Sequence, residues 1–152
     1  MSLKPNKPYR RPQALELSRR LAEPRRFIQV VTGPRQTGKT TLVQQAVEEF
    51  DGKVRYASAD EPTLRGPTWI AQQWDIARED ATAAGGAGCV LVLDEIQKIP
   101  DWSEAVKRLW DEDSRARRPL RAVLLGSAPL LISHGLTESL AGRFEKIGRA
   151  HV

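Results

Sequence analysis

Gly33-Pro34-Arg35-Gln36-Thr37-Gly38-Lys39-Thr40 lies one residue beyond the apolar run Phe27-Ile28-Gln29-Val30-Val31. The octapeptide fits G-x-x-x-x-G-K-[ST], a phosphate-binding loop, and it stands between a strand and a helix, as that loop must. A triphosphate is held closely only where backbone N–H groups point inward and no Cβ intrudes, which accounts for the bracketing glycines. Lys39 is then placed to neutralise the β- and γ-phosphates, and Thr40 to offer a hydroxyl to Mg²⁺. The helix beginning near Gly38 turns its positive end toward the anion, with Thr41 nearest the α-phosphate.

A second run, Cys89-Val90-Leu91-Val92-Leu93, is apolar throughout and closes on Asp94-Glu95. Continuous apolarity reads as a parallel strand buried on both faces, and ligands of open α/β sheets bind at the carboxyl ends of such strands. An acidic pair at that end suits one carboxylate for the metal shell, Asp94, and one to polarise the attacking water, Glu95. Together the two runs predict an α/β fold of the P-loop class, with a parallel sheet flanked by helices.

Composition sets the outer limits. The 152 residues suit one domain, and 40% hydrophobic with 28% charged is ordinary for a water-soluble protein. The single cysteine, Cys89, lies inside the apolar run and reads as a small core residue; with two scattered histidines there is no metal-binding cluster. No stretch reaches membrane-spanning length and no signal peptide opens the chain, so the expectation is cytoplasmic with no membrane partner. The net charge of +5 is local. Residues 1–26 hold eight basic side chains against two acidic ones, so the remainder sums to −1. That segment reads as a solvated helix face or as a contact for an acidic partner or nucleic acid.

In chain order, residues 1–12 form an extended arm and Gln13–Ala22 a short amphipathic helix with Leu15, Leu17 and Leu21 inward. Phe27–Thr32 is the first strand and Lys39–Phe50 the helix after the loop. Val54–Ser58 is a second strand, and Trp69–Ala84 a helix with Trp69, Ile70, Trp74 and Ile76 as packing residues. Asp101 is read as the N-cap of a helix reaching about Asp113. Ala122–Leu125 is another buried strand that ends in Gly126-Ser127. Ser127 at that tip is placed to orient the attacking water, or to cap the next turn. Arg143, after a short helix over Leu136–Ala141, is placed to touch the γ-phosphate or to pair with Glu138 or Glu145.

Taken together, Gly33–Thr41, Val90–Pro100, Leu124–Ser127 and the string Leu136-Thr137-Glu138-Ser139-Leu140-Ala141-Gly142-Arg143-Phe144-Glu145 resemble the prokaryotic AAA-like ATPases. Members of that group join a P-loop domain to a C-terminal domain of uncertain role, often suspected of DNA or nuclease association. The resemblance implies an extra strand between the Walker A and Walker B strands, and ATP with Mg²⁺ as the ligands. It carries Lys39 and Thr40 over as phosphate and metal ligands, Asp94 and Glu95 as the Walker B pair, Ser127 as sensor and Arg143 as the arginine of the family box. The chain departs from the pattern at Ala128, where relatives have a second serine. It departs again after Lys146, so the last core strand is expected to be incomplete. Ile147–Val152 back-translates as ATC GGA AGA GCA CAC GTC, a sequencing-adapter sequence, and is read as a non-native tail. The expected division is thus 1–26 arm and helix, 27–146 ATPase core and 147–152 tail.

The expected function is ATP binding with Mg-dependent hydrolysis by in-line attack of water, Glu95 positioning the water. Gly33 to Thr41 bind the nucleotide; Thr40 and Asp94 serve the metal; Lys39, Glu95, Ser127 and Arg143 serve the chemistry. A nucleotide-dependent switch with little hydrolysis is the alternative, DNA-associated through a missing C-terminal domain. A direct nucleic-acid role for Arg19, Arg20, Arg25 and Arg26 ranks third, because neither a helix-turn-helix nor an aromatic platform is visible. Further copies of the chain are candidate partners if Arg143 acts across an interface.

Overall fold

A computed structural model of the chain describes residues 12–33, 38–60, 66–127, 131 and 136–147, the side chain of Thr137 excepted. Five parallel strands make one sheet: β1 (Ile28–Thr32), β2 (Lys53–Ser58), β3 (Cys89–Asp94), β4 (Leu120–Gly126) and β5 (Phe144–Ile147). Their spatial order is β2-β3-β4-β1-β5, so β4 separates the strand before the phosphate loop from the strand that carries the acidic pair. This is the interposed strand that the resemblance implied. The last strand, expected to be incomplete, is four residues long; it pairs with β1 and ends on the buried Ile147.

Helices cover both faces. On one lie α1 (Pro12–Ala22) and α2 (Lys39–Val47), which bury Leu17, Leu21, Leu42 and Val43 against Val90, Val92, Val123 and Leu125. On the other lie α3 (Pro67–Ala83), α4 (Trp102–Ala116) and the one-turn α5 (Leu136–Ser139). Ile70, Trp74, Val106 and Trp110 of α3 and α4 pack there on Cys89, Leu91, Leu93, Ala122 and Leu124. Alternate residues of β3 thus serve opposite cores, the reason its sequence is apolar without interruption. Cys89 is wholly buried, and burial pushes its thiol up to about 11, in keeping with a packing residue.

Some expected details differ. Leu15 and Ile76 are 52% and 37% exposed, because the buried stripes run through Ala14, Leu17 and Leu21 on α1 and through Ile70, Trp74, Ala77 and Ala81 on α3. Asp101 does not cap α4 with its side chain. Its backbone is left-handed (φ 58°), and a capping carboxylate works from an extended residue that faces the first-turn N–H groups. The helix also runs three residues beyond its expected end, to Ala116. Trp69 and Trp74 are packing residues, 9% and 0% exposed.

Candidate nucleotide site

Because every strand runs the same way, the ends of β1, β3 and β4 meet at one edge of the sheet. Thr32 is level with Gly126, and Leu125 with Asp94. The phosphate loop, the acidic pair and Ser127 therefore leave three adjacent strands side by side. Gly33 N–H donates to the Gly126 carbonyl at 3.3 Å, tying the start of the loop to the tip of β4.

Pro34, Arg35, Gln36 and Thr37 lie outside the described residues. The loop is described again at Gly38, whose φ of 85° is left-handed, a conformation that costs a side-chain-bearing residue about 1 kcal/mol or more. Its carbonyl accepts the Leu42 N–H at 2.9 Å, the first turn of α2. Lys39 is buried, and its ammonium donates to the Gly33 carbonyl at 2.8 Å. Thr40 is half-buried and Thr41 exposed on the same turn.

Asp94 and Glu95 differ in their surroundings. The Asp94 carboxylate accepts a short hydrogen bond from the Tyr56 hydroxyl, and that same oxygen lies 3.4 Å from Thr40 Oγ1. The Tyr56 hydroxyl thus stands between the two groups assigned to the metal, Thr40 and Asp94. Burial, reinforced by the bond to Asp94, pushes the Tyr56 hydroxyl up to about 12, so it acts as a donor. A hydroxyl and a carboxylate are the hard oxygen donors that Mg²⁺ takes, with water completing its shell.

Glu95 is 7% exposed, in a left-handed backbone (φ 56°, ψ 37°) that begins a 3₁₀ turn over Ile96–Lys98. A glutamate in this region stores of order 1 kcal/mol of strain, as residues at functional sites often do. Its carboxylate accepts a 2.7 Å hydrogen bond from Gln97 Nε2. Gln97 itself lies against β4: a Cβ on Gly126 would fall 2.2 Å from Gln97 Oε1. The glycine before Ser127 leaves room for the amide that holds Glu95.

Ser127 follows β4 directly and its carbonyl accepts the Leu131 N–H at 3.0 Å. Arg143 is not brought to this edge. Its carbonyl accepts the N–H of Ile28, at the beginning of β1, whereas the phosphate loop follows the end of that strand, about 17 Å further on. The guanidinium pairs with Asp111 on α4, rather than with Glu138 or Glu145. Tyr56, Gln97 and Asp111 carried no assigned role in the sequence. A lone glutamine between Ile96 and Ile99 was a usable signal, but nothing local marks a tyrosine in an edge strand.

Among the described residues no group of three His, Cys, Asp or Glu side chains could hold a metal alone, and no helix is long and apolar enough to cross a membrane. Residues 25–148 match the sequence profile of a family described as AAA domain. The chain is also 35% identical over 140 residues to an uncharacterized protein of Mycobacterium tuberculosis and, equally, to one of Mycobacterium bovis. Each alignment covers 91% of this chain and 28% of the relative, so the chain spans little more than a quarter of the length of those proteins.

Proposed function

Since the chain belongs to the AAA domain family, a family of nucleotide-binding ATPase domains, we propose that it binds ATP in the loop Gly33–Thr41 and hydrolyses it by attack of water. The observation that carries this reading is the convergence at one sheet edge of Lys39 from β1–α2, Asp94 and Glu95 from β3, and the tip of β4. In this reading Lys39 leaves the Gly33 carbonyl for the phosphates, and α2 directs its N-terminal N–H groups at them. Thr40 and Asp94 would hold Mg²⁺, which would supply positive charge to offset that of the phosphates. Glu95, fixed by Gln97, accepts a hydrogen bond from the attacking water; Ser127, just past the tip of the neighbouring strand, is assigned to orient that water. The work is positional and electrostatic, so loss of one group lowers rate more than binding.

Calorimetric titration of Mg-ATP with phosphate release on the same samples tests this. Wild type binds, Lys39→Ala loses binding, and Glu95→Gln keeps binding but loses about 10²-fold or more in turnover. A folded wild type that does not bind ATP would overturn the assignment.

Slow hydrolysis by the isolated chain is a second reading, favoured by Arg143. The arginine offered for the γ-phosphate is held by Asp111 at the far edge of the sheet, so it reaches a phosphate only in another copy of the chain. On that reading the domain holds ATP as a switch, and assembly supplies the cation.

A further inference from the structure

The edge of the sheet opposite the nucleotide site, where the strands begin, carries a concentration of arginine that neither ATP binding nor hydrolysis uses. Arg25 and Arg26 precede β1, Arg117 and Arg118 precede β4, and Arg121 is the second residue of β4. These five side chains, from two segments far apart in sequence, line one cavity of about 500 Å³ together with Ser114 and Pro119.

Their charge is poorly compensated. Arg25 lies flat on Trp110, 3.5 Å from the ring centroid. It donates to the Leu120 carbonyl at 2.6 Å, the Ser114 hydroxyl at 2.9 Å and the Trp110 carbonyl at 3.1 Å, all neutral acceptors. Arg121 donates to the Glu23 carbonyl at 2.8 Å, and its Nε is buried with no hydrogen-bond partner among the described residues. Burial lowers both guanidinium groups, Arg25 to about 10, and the charge of Arg121 adds to the effect on Arg25 against the pull of Asp113. Among the described residues, Arg25, Arg26, Arg117 and Arg121 form no ion pair, while Arg118 shares buried Asp113 with Arg78. Several like charges gathered around one cavity, two of them half-buried, repel one another unless an anion joins them.

We propose that this cavity binds the phosphodiester backbone of nucleic acid, at the sheet edge opposite the nucleotide site. Guanidinium groups match phosphate oxygens in pairs, which favours phosphate over other anions. A second cavity, of about 350 Å³, shares Arg25, Arg26 and Arg121; its lining adds Arg20, already paired with Glu16 and Glu145, and the carboxylates of Glu23 and Glu145. The three shared arginines extend the positive surface beyond a pocket for one ion. The rings of Trp110, Phe27 and Phe50 each have one face occupied by a guanidinium. Recognition is of backbone charge, and is sequence-independent.

The test uses the whole chain and a fluorescently labelled DNA duplex of about 20 base pairs, followed by anisotropy across roughly 50 to 200 mM salt. Arg26→Glu/Arg117→Glu reverses two exposed charges outside any ion pair among the described residues; Arg26→Ala/Arg117→Ala is the milder second variant. Wild type is expected to bind saturably, with log affinity falling against log salt at a slope of about −3 to −5. The reversal variant, melting like wild type, loses at least about tenfold in affinity, and its slope is shallower by about 2. Wild-type affinity and slope in both variants would overturn the proposal, as would absence of saturable binding by wild type at low salt. Equal competition by pyrophosphate alone would reassign the cavity to small anions, and arginine-dependent binding of anionic lipid vesicles without DNA binding would reassign it to a membrane surface. Lys39→Ala is expected to retain DNA binding, so this result stands apart from that of the ATP titration.

Discussion

Arg143 holds Asp111 with two parallel hydrogen bonds, Nε to Oδ1 at 2.8 Å and Nη2 to Oδ2 at 2.9 Å, fastening the turn before β5 to α4. The bond from Arg143 is the leading cause that holds the Asp111 carboxyl below its ordinary value. A depressed carboxyl gives stability that is complete above its unfolded-state pKa of about 4 and is lost as pH falls through the lower folded value. Asp111→Asn is therefore expected to lower Tm at pH 7, with the gap to wild type closing below about pH 4. The side chains are 29% and 31% exposed, which limits the loss to about 0.5–1 kcal/mol, or about 1–4 °C. A gap unchanged in acid would assign the effect to shape instead of charge.

The same pair bears on turnover. Arg143→Ala is expected to leave phosphate release by dilute protein within about twofold of wild type, since the guanidinium is remote from the phosphate loop. A loss that appears only as protein concentration rises would show the arginine acting in a second copy; a tenfold loss in dilute protein would contradict the placement described above.

Tyr56→Phe removes the hydroxyl that Asp94 accepts beside Thr40. The carboxylate then has one competitor fewer, and the apparent affinity for Mg²⁺ in the presence of ATP is expected to rise about threefold, near 0.7 kcal/mol. ATP affinity measured in chelator should not move. Titration of Mg²⁺ against a fluorescent ATP analogue reads both quantities, and weaker metal binding would mean that Tyr56 supports Asp94 rather than competing for it.

Gln97→Ala frees the Glu95 carboxylate from its 2.7 Å restraint. Turnover is expected to fall about tenfold with KM for ATP unchanged, the pattern of a positioning residue. Gly126→Ala should reproduce part of this defect, because the added methyl enters the space of the Gln97 amide, and should also cost about 1–3 kcal/mol of stability. Full activity in both variants would remove Gln97 from the mechanism.

Asp113 is wholly buried and accepts from Trp74 Nε1 at 2.8 Å, Arg78 Nε at 2.8 Å and Arg118 Nη1 at 2.9 Å. Asp113→Ala strands the indole N–H and leaves Arg78 Nε without its acceptor, while Glu112 and the Leu109 carbonyl still hold Arg78 Nη2; it is expected to cost about 2–4 kcal/mol, read as a loss of Tm or as failure to accumulate folded protein. Trp74→Phe, which removes one neutral donor, should cost far less; equal losses would mean that packing, not the carboxylate, matters there.

The parts of the site legible in the sequence are those written in consecutive residues. Lys39 and Thr40 follow a glycine loop, and Asp94-Glu95 end an apolar run, so spacing alone placed the first pair at the start of α2 and the second at the tip of β3. Tyr56 and Asp94 are 38 residues apart in the chain and meet only because β2 pairs with β3 in a register that sets Ser58 opposite Asp94. Arg143 lies away from the phosphate loop of its own chain for a geometric reason: residues ahead of a parallel strand begin at the edge away from the ligand. Leu15 and Ile76 show that apolar spacing offers several stripes on one helix, and packing chooses among them. Ser127, at its strand tip, was legible in position though its role awaits the chemistry.

The shared carboxylate of Asp113 has a mechanical meaning. It clamps the middle of α3 to the end of α4, so the two helices on that face form a single stiff plate bolted across β3 and β4. Whatever displacement follows a change at the phosphates has little freedom there. On the proposed nucleotide reading, the more direct route is the reverse face, where α2 leads from Lys39 and rests on α1, the element that runs toward Arg25.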